Sequence, residues 1–329
     1  MKKIIFLTLI MNLCFSDIFF SGDARFRPRY DIKENGDNSS TSDLYYLYRA
    51  RLNVKSDIGD GWFFNSKIGT NDIAGMSRMG FTIKPELSFM EIYFGYQDKD
   101  CGYWAGLLPL KSNPSLDLHF YSDNPVDIPF VLKSNSSIAG LSGFNTILNH
   151  KLNWFLSMDQ NNTNLSVSTT NEETEMSDIY TLGFDTNFGI GPISATPRVL
   201  ISMGDEDDVT PFTFGSEFKL PPFGKVKSSL SYYISSNGDD GDTKYYEANH
   251  MRFSVTSPLK NGKLKFFYDM ASKDDDEISY LWLSYTHSCY KGDMGEVTIS
   301  PTYRLQTGKL GDEDYSRNKI EITTQIKFN

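Results

Sequence analysis

The chain ends Lys319-Ile320-Glu321-Ile322-Thr323-Thr324-Gln325-Ile326-Lys327-Phe328-Asn329. Ile320, Ile322, Ile326 and Phe328 share one parity; Lys319, Glu321, Gln325 and Lys327 share the other. Successive side chains of a strand point to opposite faces, so this stretch has one apolar face and one charged face. A terminal strand with only one neighbour leaves a row of unpaired backbone groups. Two readings follow. One is the edge strand of a soluble β protein. The other is the last strand of a barrel, closed on the first.

The rest of the chain favours the barrel. Leu44 to Asp57 sets Leu44, Tyr46, Tyr48, Ala50 and Leu52 on one face and Arg49, Arg51, Asn53 and Lys55 on the other. The same alternation marks Trp62–Thr70, Leu87–Tyr96, Gly102–Leu110 and so on to Tyr315–Phe328, about sixteen strands in all. That leaves about twenty residues for each strand and its connection, enough for a tilted membrane-spanning strand of about ten. Pro28 lacks an amide donor and predicts a bulge or a weakened pairing in the first strand.

The connections alternate in kind. Short ones carry turn residues, as in Gly59-Asp60-Gly61, Asn149-His150-Lys151 and Asn261-Gly262. The others read as long acidic loops: Asp205–Asp208, Asp239–Asp242, Asp274–Glu277 and Asp312–Asp314. In antiparallel membrane barrels short turns face the periplasm and long loops the exterior. No fixed-period repeat marks a propeller or a β-helix. Residues 1–16 combine Lys2 and Lys3 with an apolar run, Ile4 to Ile10, too short to span a bilayer as a helix. They read as a secretory signal, followed by one barrel domain over 17–329. Without Lys2 and Lys3 the formal charge falls from −10 to about −12, which argues against a nucleic-acid surface. The 19 Tyr and 24 Phe suit the aromatic girdles of a barrel at the two membrane interfaces. Only Cys101 and Cys289 lie beyond the leader, so no disulfide framework is built.

The longest connection, Lys111 to Asn135, follows the fifth strand and holds Asp117, His119, Phe120, Tyr121, Asp123 and Asp127. Loops of this length without structure of their own are usually functional. With this loop, the leader, the opening Ser21-Gly22-Asp23-Ala24-Arg25-Phe26-Arg27 and the closing strand, the chain resembles a Gram-negative outer-membrane porin. Asn329 after Phe328 departs by one position from the aromatic terminus common in such barrels. The resemblance implies an all-β antiparallel transmembrane barrel of about sixteen strands. It also implies a third extracellular loop folded into the lumen, a homotrimer, and passage of small hydrophilic solutes through the outer membrane.

Charge can be set against that expectation. With Phe26, Tyr30, Tyr48 and Leu52 toward lipid, Arg25, Arg27, Arg29, Arg49 and Arg51 face the lumen. On the lipid side each would cost about 2–4 kcal/mol near the midplane. Like charges side by side on a sheet repel, so these cations need anions. Asp117, Asp123 and Asp127 of the long loop are the expected partners, giving a transverse field across a constriction. An ordinary solvated charged face is the plainer alternative.

The four His are scattered without metal-ligand spacing, and no nucleophile elbow or phosphate loop occurs. No catalytic step and no cofactor are expected. The expected partners are outer-membrane lipid and lipopolysaccharide, and small solutes. Two rivals remain: a channel specific for anions or organic anions, and an adhesin or structural barrel.

Overall fold

The structure is a computed structural model that describes residues 17–34, 39–70, 76–80, 86–109, 137–160, 179–203, 210–236, 247–273 and 275–329. The leader and residues 110–136, with Asp117, Asp123 and Asp127, lie outside the described residues, as do Asp205–Asp208 and Asp239–Asp242.

The described residues form one antiparallel sheet closed on itself. In chain order the strands are β1 (Asp17–Glu34), β2 (Ser40–Gly59), β3 (Trp62–Thr70, continued by Ser77–Arg78), β4 (Leu87–Gln97), β5 (Cys101–Pro109) and β6 (Ser137–Ile147). They continue as β7 (His150–Gln160), β8 (Ile179–Thr186, continued by Phe188–Ile190), β9 (Ile193–Met203), β10 (Phe212–Lys219) and β11 (Lys227–Ser236). The last five are β12 (Glu247–Leu259), β13 (Gly262–Lys273), β14 (Asp276–Gly292), β15 (Gly295–Leu310) and β16 (Glu313–Phe328). Ser77–Arg78 pairs with β2, as the first part of β3 does, and Phe188–Ile190 pairs with β9, as the first part of β8 does. Each is therefore one interrupted strand, and the barrel has sixteen.

The terminal stretch behaves as its alternation predicts. Strand β16 pairs with β15 on one side and with β1 on the other, from Gly22↔Phe328 to Glu34↔Ser316. Ile320 and Ile322 are 56% and 50% exposed on the outer surface, while Lys319 and Glu321 are 2% and 1% exposed inside. The same sorting runs round the wall: Phe26, Tyr46, Leu52, Phe94, Ile299 and Tyr303 are exposed outward, and Arg29, Arg49, Arg252 and Arg304 are buried inward. An apolar exterior around a polar interior is what a bilayer selects, because the membrane can solvate only the former.

Pro28 weakens pairing without a bulge. It keeps register with Tyr46 of β2, but the ladder toward β16 is interrupted between Phe26↔Thr324 and Arg29↔Glu321 and resumes in the same register. At the tight-turn end the chain adopts left-handed backbone at Asp60 and Gly61, at Leu148 and Asn149, and at Asn261. These are conformations that two-residue hairpin turns require.

Two expected long loops are tight tips instead. β13 ends at Lys273 and β14 begins at Asp276; β15 ends at Leu310 and β16 begins at Glu313. β1, β2, β14, β15 and β16 hold 18, 20, 17, 16 and 16 residues. A spanning strand needs only about ten. This part of the wall therefore rises past the apolar band, where both faces can be polar and acidic residues continue the ladder. The Gly311 amide donates to Asp276 Oδ1 at 2.8 Å, tying two neighbouring tips together.

Candidate functional site: a charged lumen

Three carboxylates organise the inner surface of β15, β16, β1 and β2. Glu321 on β16 lies 2.5 Å from Arg29 Nε, 3.0 Å from Arg304 Nη2 and 3.7 Å from Arg27 Nη1. Asp31 on β1 accepts from Arg317 at both oxygens, at 2.8 and 2.7 Å, and from the Tyr45 hydroxyl at 3.0 Å. Asp23 accepts from Arg49 Nη2 at 2.5 Å and Nε at 3.1 Å, with Arg25 Nε at 3.4 Å. The guanidinium of Arg29 donates to the Tyr45 hydroxyl at 3.1 Å, and that of Arg78 lies over the Tyr45 ring at 4.4 Å. Planar forked donors suit carboxylates, and they stack on aromatic faces.

The closure seam between β1 and β16 runs through this cluster. Arg317–Asp31, Arg29–Glu321 and the Arg27 Nε bond to Thr323 Oγ1 at 2.7 Å all cross it. Where Pro28 leaves the backbone ladder thin, side chains take over the join. The seam is also where the cations crowd: Arg25, Arg27, Arg29, Arg49, Arg51, Arg304 and Arg317 face Asp23, Asp31 and Glu321. This wall is cationic in sum.

All five arginines singled out from the sequence have the lumen parity expected of them, and four are brought together with carboxylates. Arg51 has no ion-pair partner among the described residues; its stem lies against Gly69. The carboxylates beside them among the described residues are ones the sequence reading had not paired with them. Asp23, Asp31 and Glu321 belong to the wall itself, because antiparallel register sets them beside the arginines: Arg29↔Glu321 and Asp23↔Arg51 are direct pairs. Asp117, Asp123 and Asp127 are outside the described residues. Tyr45, Arg78 and Arg317 escaped the sequence reading, although Tyr45 shares the parity of Arg49 and Arg51.

Elsewhere on the wall several charges are paired. Arg252 donates to both oxygens of Asp269, at 2.5 and 2.9 Å, with His250 Nε2 at 3.3 Å. Lys67 pairs with Glu91, and Arg198 Nε lies 3.9 Å from Asp185. The aromatics do not all form outer girdles. Trp62 and Tyr96 meet on the tight-turn rim, as do Tyr103 and Trp154. Phe63, Tyr93, Trp104 and Phe144 form a run of ring contacts 6.1 to 6.4 Å apart on the inner face of β3 to β6. Parity would have shown this too: Phe63 alternates with Asn65 and Lys67, and Trp104 with Gly102 and Gly106.

No protein-family model matches the sequence, and no curated protein matches it. Solved structures do match its backbone. An anion-selective porin from Comamonas acidovorans superposes with a TM-score of 0.61 at 13% identity, over 95% of this chain and 100% of that one. The outer-membrane channel DcaP of Acinetobacter baumannii gives 0.61 at 15%, over 95% and 97%. The trimer form of OmpT, an outer-membrane protein of Vibrio cholerae, gives 0.57 at 11%, over 95% and 99%. Closed by its own first and last strands, with charge inside and apolar side chains outside, the chain has the fold of the outer-membrane porins.

Proposed function

We propose that this chain forms a water-filled channel in a bacterial outer membrane, through which small hydrophilic solutes and ions diffuse passively. The inside-out sorting of side chains in a closed sixteen-strand barrel carries this reading. Arginine and glutamate at the centre of the wall need water and counter-ions, and a lumen supplies both. Residues 1–16 direct export, the tight turns face the periplasm, and the barrel assembles as a homotrimer among lipid and lipopolysaccharide. The OmpT structure described as a trimer supports that assembly. On this reading Asp117, Asp123 and Asp127 act on the same passage as the arginines, as expected from the sequence. The reaction is transport alone, with no catalytic step and no cofactor.

The channel prefers anions weakly. The acidic residues of the described tips, Asp275, Glu277 and Asp312–Asp314, are exposed, and salt screens such charges beyond about 8 Å. The cationic seam lies inside a passage with low-dielectric walls, which focus its field. The Comamonas porin is described as anion-selective, in line with this reading. In a planar bilayer the refolded chain should give an ohmic conductance, with a reversal potential in a salt gradient on the anion side. Replacing Arg27 and Arg49 by Ala should move it toward cations, and Asp123→Asn the other way. Absence of conductance would overturn the channel. An unchanged reversal potential in the arginine variants, with a large shift on truncating Asp239–Asp242, would place selectivity in the vestibule.

A further inference from the structure

Away from the arginine seam, the inner face of β3 to β9 lines a half-open cavity of about 460 Å³. That lies within the range of small-molecule sites, about 300–1,000 Å³. Phe63, Tyr93, Trp104 and Phe155 supply its aromatic surface, and Asn65, Gln97, Asn153, Asp185 and Arg198 its polar groups. The rings lie against bare backbone. A Cβ added to Gly183 would fall 2.1 Å from Phe155 Cε1, and one added to Gly102 would fall 2.7 Å from Trp104 Cζ3. The glycines beneath let these two rings lie down on the wall, and the rings remain only half-buried. Phe144, by contrast, is buried behind Trp104, and the Lys151 ammonium stands 3.6 Å from its ring centre.

The polar groups carry no net charge, since Asp185 and Arg198 are the only charged residues of the lining among the described residues. Asn153 Nδ2 donates to Asp185 Oδ1 at 2.7 Å, which leaves its carbonyl oxygen free to accept. Arg198 stands 3.9 Å from Asp185 and 3.4 Å from the Tyr233 hydroxyl, long contacts that leave donors open. Asn65 has no hydrogen-bond partner among the described residues. Flat apolar faces, surrounded by amides and one neutralised ion pair, fit a ring that is apolar on its face and hydroxylated around its edge. An ionic solute would find no net counter-charge here, and a plain aromatic would leave the amides unpaired, which costs binding.

We propose that this cavity is a subsite for a neutral carbohydrate ring, which stacks on Trp104 and Phe155 and hydrogen-bonds to Asn65, Asn153 and the Asp185–Arg198 pair. The proposal deepens the channel reading: the solute pauses here on its way through the lumen.

The test uses the full chain refolded in lauryldimethylamine oxide, a detergent without sugar, with maltose as probe. Isothermal titration calorimetry should show saturable maltose binding and none of sorbitol, an acyclic polyol. Trp104→Leu and Phe155→Leu should each weaken binding about tenfold, the scale of one lost ring face. Phe94→Leu, on the outer surface, should leave it unchanged. Heat-shifted gel migration identifies folded variants, and either ring variant alone suffices. Parallel bilayer recordings should show maltose reducing the current of the wild type. Conductance without maltose binding overturns the subsite and leaves the channel standing. Maltose binding without conductance supports the subsite and overturns the channel. Binding of benzoate in place of maltose, lost in Trp104→Leu, overturns the carbohydrate assignment.

Discussion

Glu321→Gln is the most informative single substitution on the seam. The carboxylate lies within 4 Å of three guanidiniums, those of Arg29, Arg304 and Arg27, and is 1% exposed. Glutamine keeps the shape and one acceptor oxygen but removes the only negative charge the three share. Taking one partner from a buried ion pair costs about 3–5 kcal/mol, because the other charge is left uncompensated. The guanidiniums border a lumen and can recruit water and chloride, so the lower end applies: about 3 kcal/mol, or about a hundredfold in the folding equilibrium. Glu91→Gln is the matched control. Its pair with Lys67 leaves the two side chains 16% and 24% exposed, and it should cost under about 1 kcal/mol. Equilibrium urea unfolding from phospholipid vesicles, followed by tryptophan fluorescence, measures both. The same substitution adds one net positive charge to the lumen, so the reversal potential should move further toward anions. If Glu321→Gln unfolds at the same urea concentration as Glu91→Gln, the seam is held by its backbone ladder and not by this cluster.

Asp98, in the turn between β4 and β5, accepts from the Cys101 and Asp100 amides at 2.8 and 2.7 Å, and these bonds hold its carboxyl below the usual 3.8. A depressed carboxyl stabilises the fold above its unfolded pKa, and that contribution disappears as pH falls through the folded value. Asp98→Asn should therefore lower the unfolding midpoint at pH 7, and the gap from wild type should close on acidification below 3.8; a gap that persists at pH 2 would refute the assignment. Cys101 on β5 and Cys289 on β14 are both free thiols and lie on well-separated strands of the closed sheet. A disulfide needs Cα atoms within about 7 Å, so mass spectrometry without reductant should find both unpaired, and a Cys101–Cys289 peptide would break this strand order.

Alternation made most of the wall legible. It depends only on the period of a strand, so it survives errors of a few residues in where each strand begins. Lumen and lipid faces were therefore readable for Arg25, Arg49 and Glu321 before any pairing was known. What alternation cannot supply is register between distant strands. Asp31 and Arg317 are 286 residues apart in sequence, and only the closed sheet makes them a bidentate pair. The arginines pointed to Asp117, Asp123 and Asp127, which lie outside the described residues, while the carboxylates found beside them are Asp23 of β1 and Glu321 near the end of the chain. The aromatic count is silent in the same way. A total of Phe and Tyr says nothing of which side each ring faces, and Phe63, Tyr93 and Trp104 face inward. The acidic tips at Asp276 and Glu313 read as loops because charge usually marks solvent. Here the strands themselves reach solvent.

Total and local charge have opposite signs in this barrel. The chain carries a formal −10, yet the wall at its closure seam holds more guanidiniums than carboxylates. The two are compatible because they act over different distances. Acids on hairpin tips see bulk water and salt, and their field dies within about a Debye length. Arginines on the inner wall are backed by the sheet and its apolar outer face, so their field lines are driven across the lumen. The same crowding that makes this wall cationic also strains the seam, since like charges on neighbouring strands repel. Glu321 relieves that strain by serving three arginines from β1 and β15 at once. On the proposed anion preference, selectivity and closure are linked through one residue: a change that removes negative charge there should make the lumen more attractive to anions and the barrel easier to open.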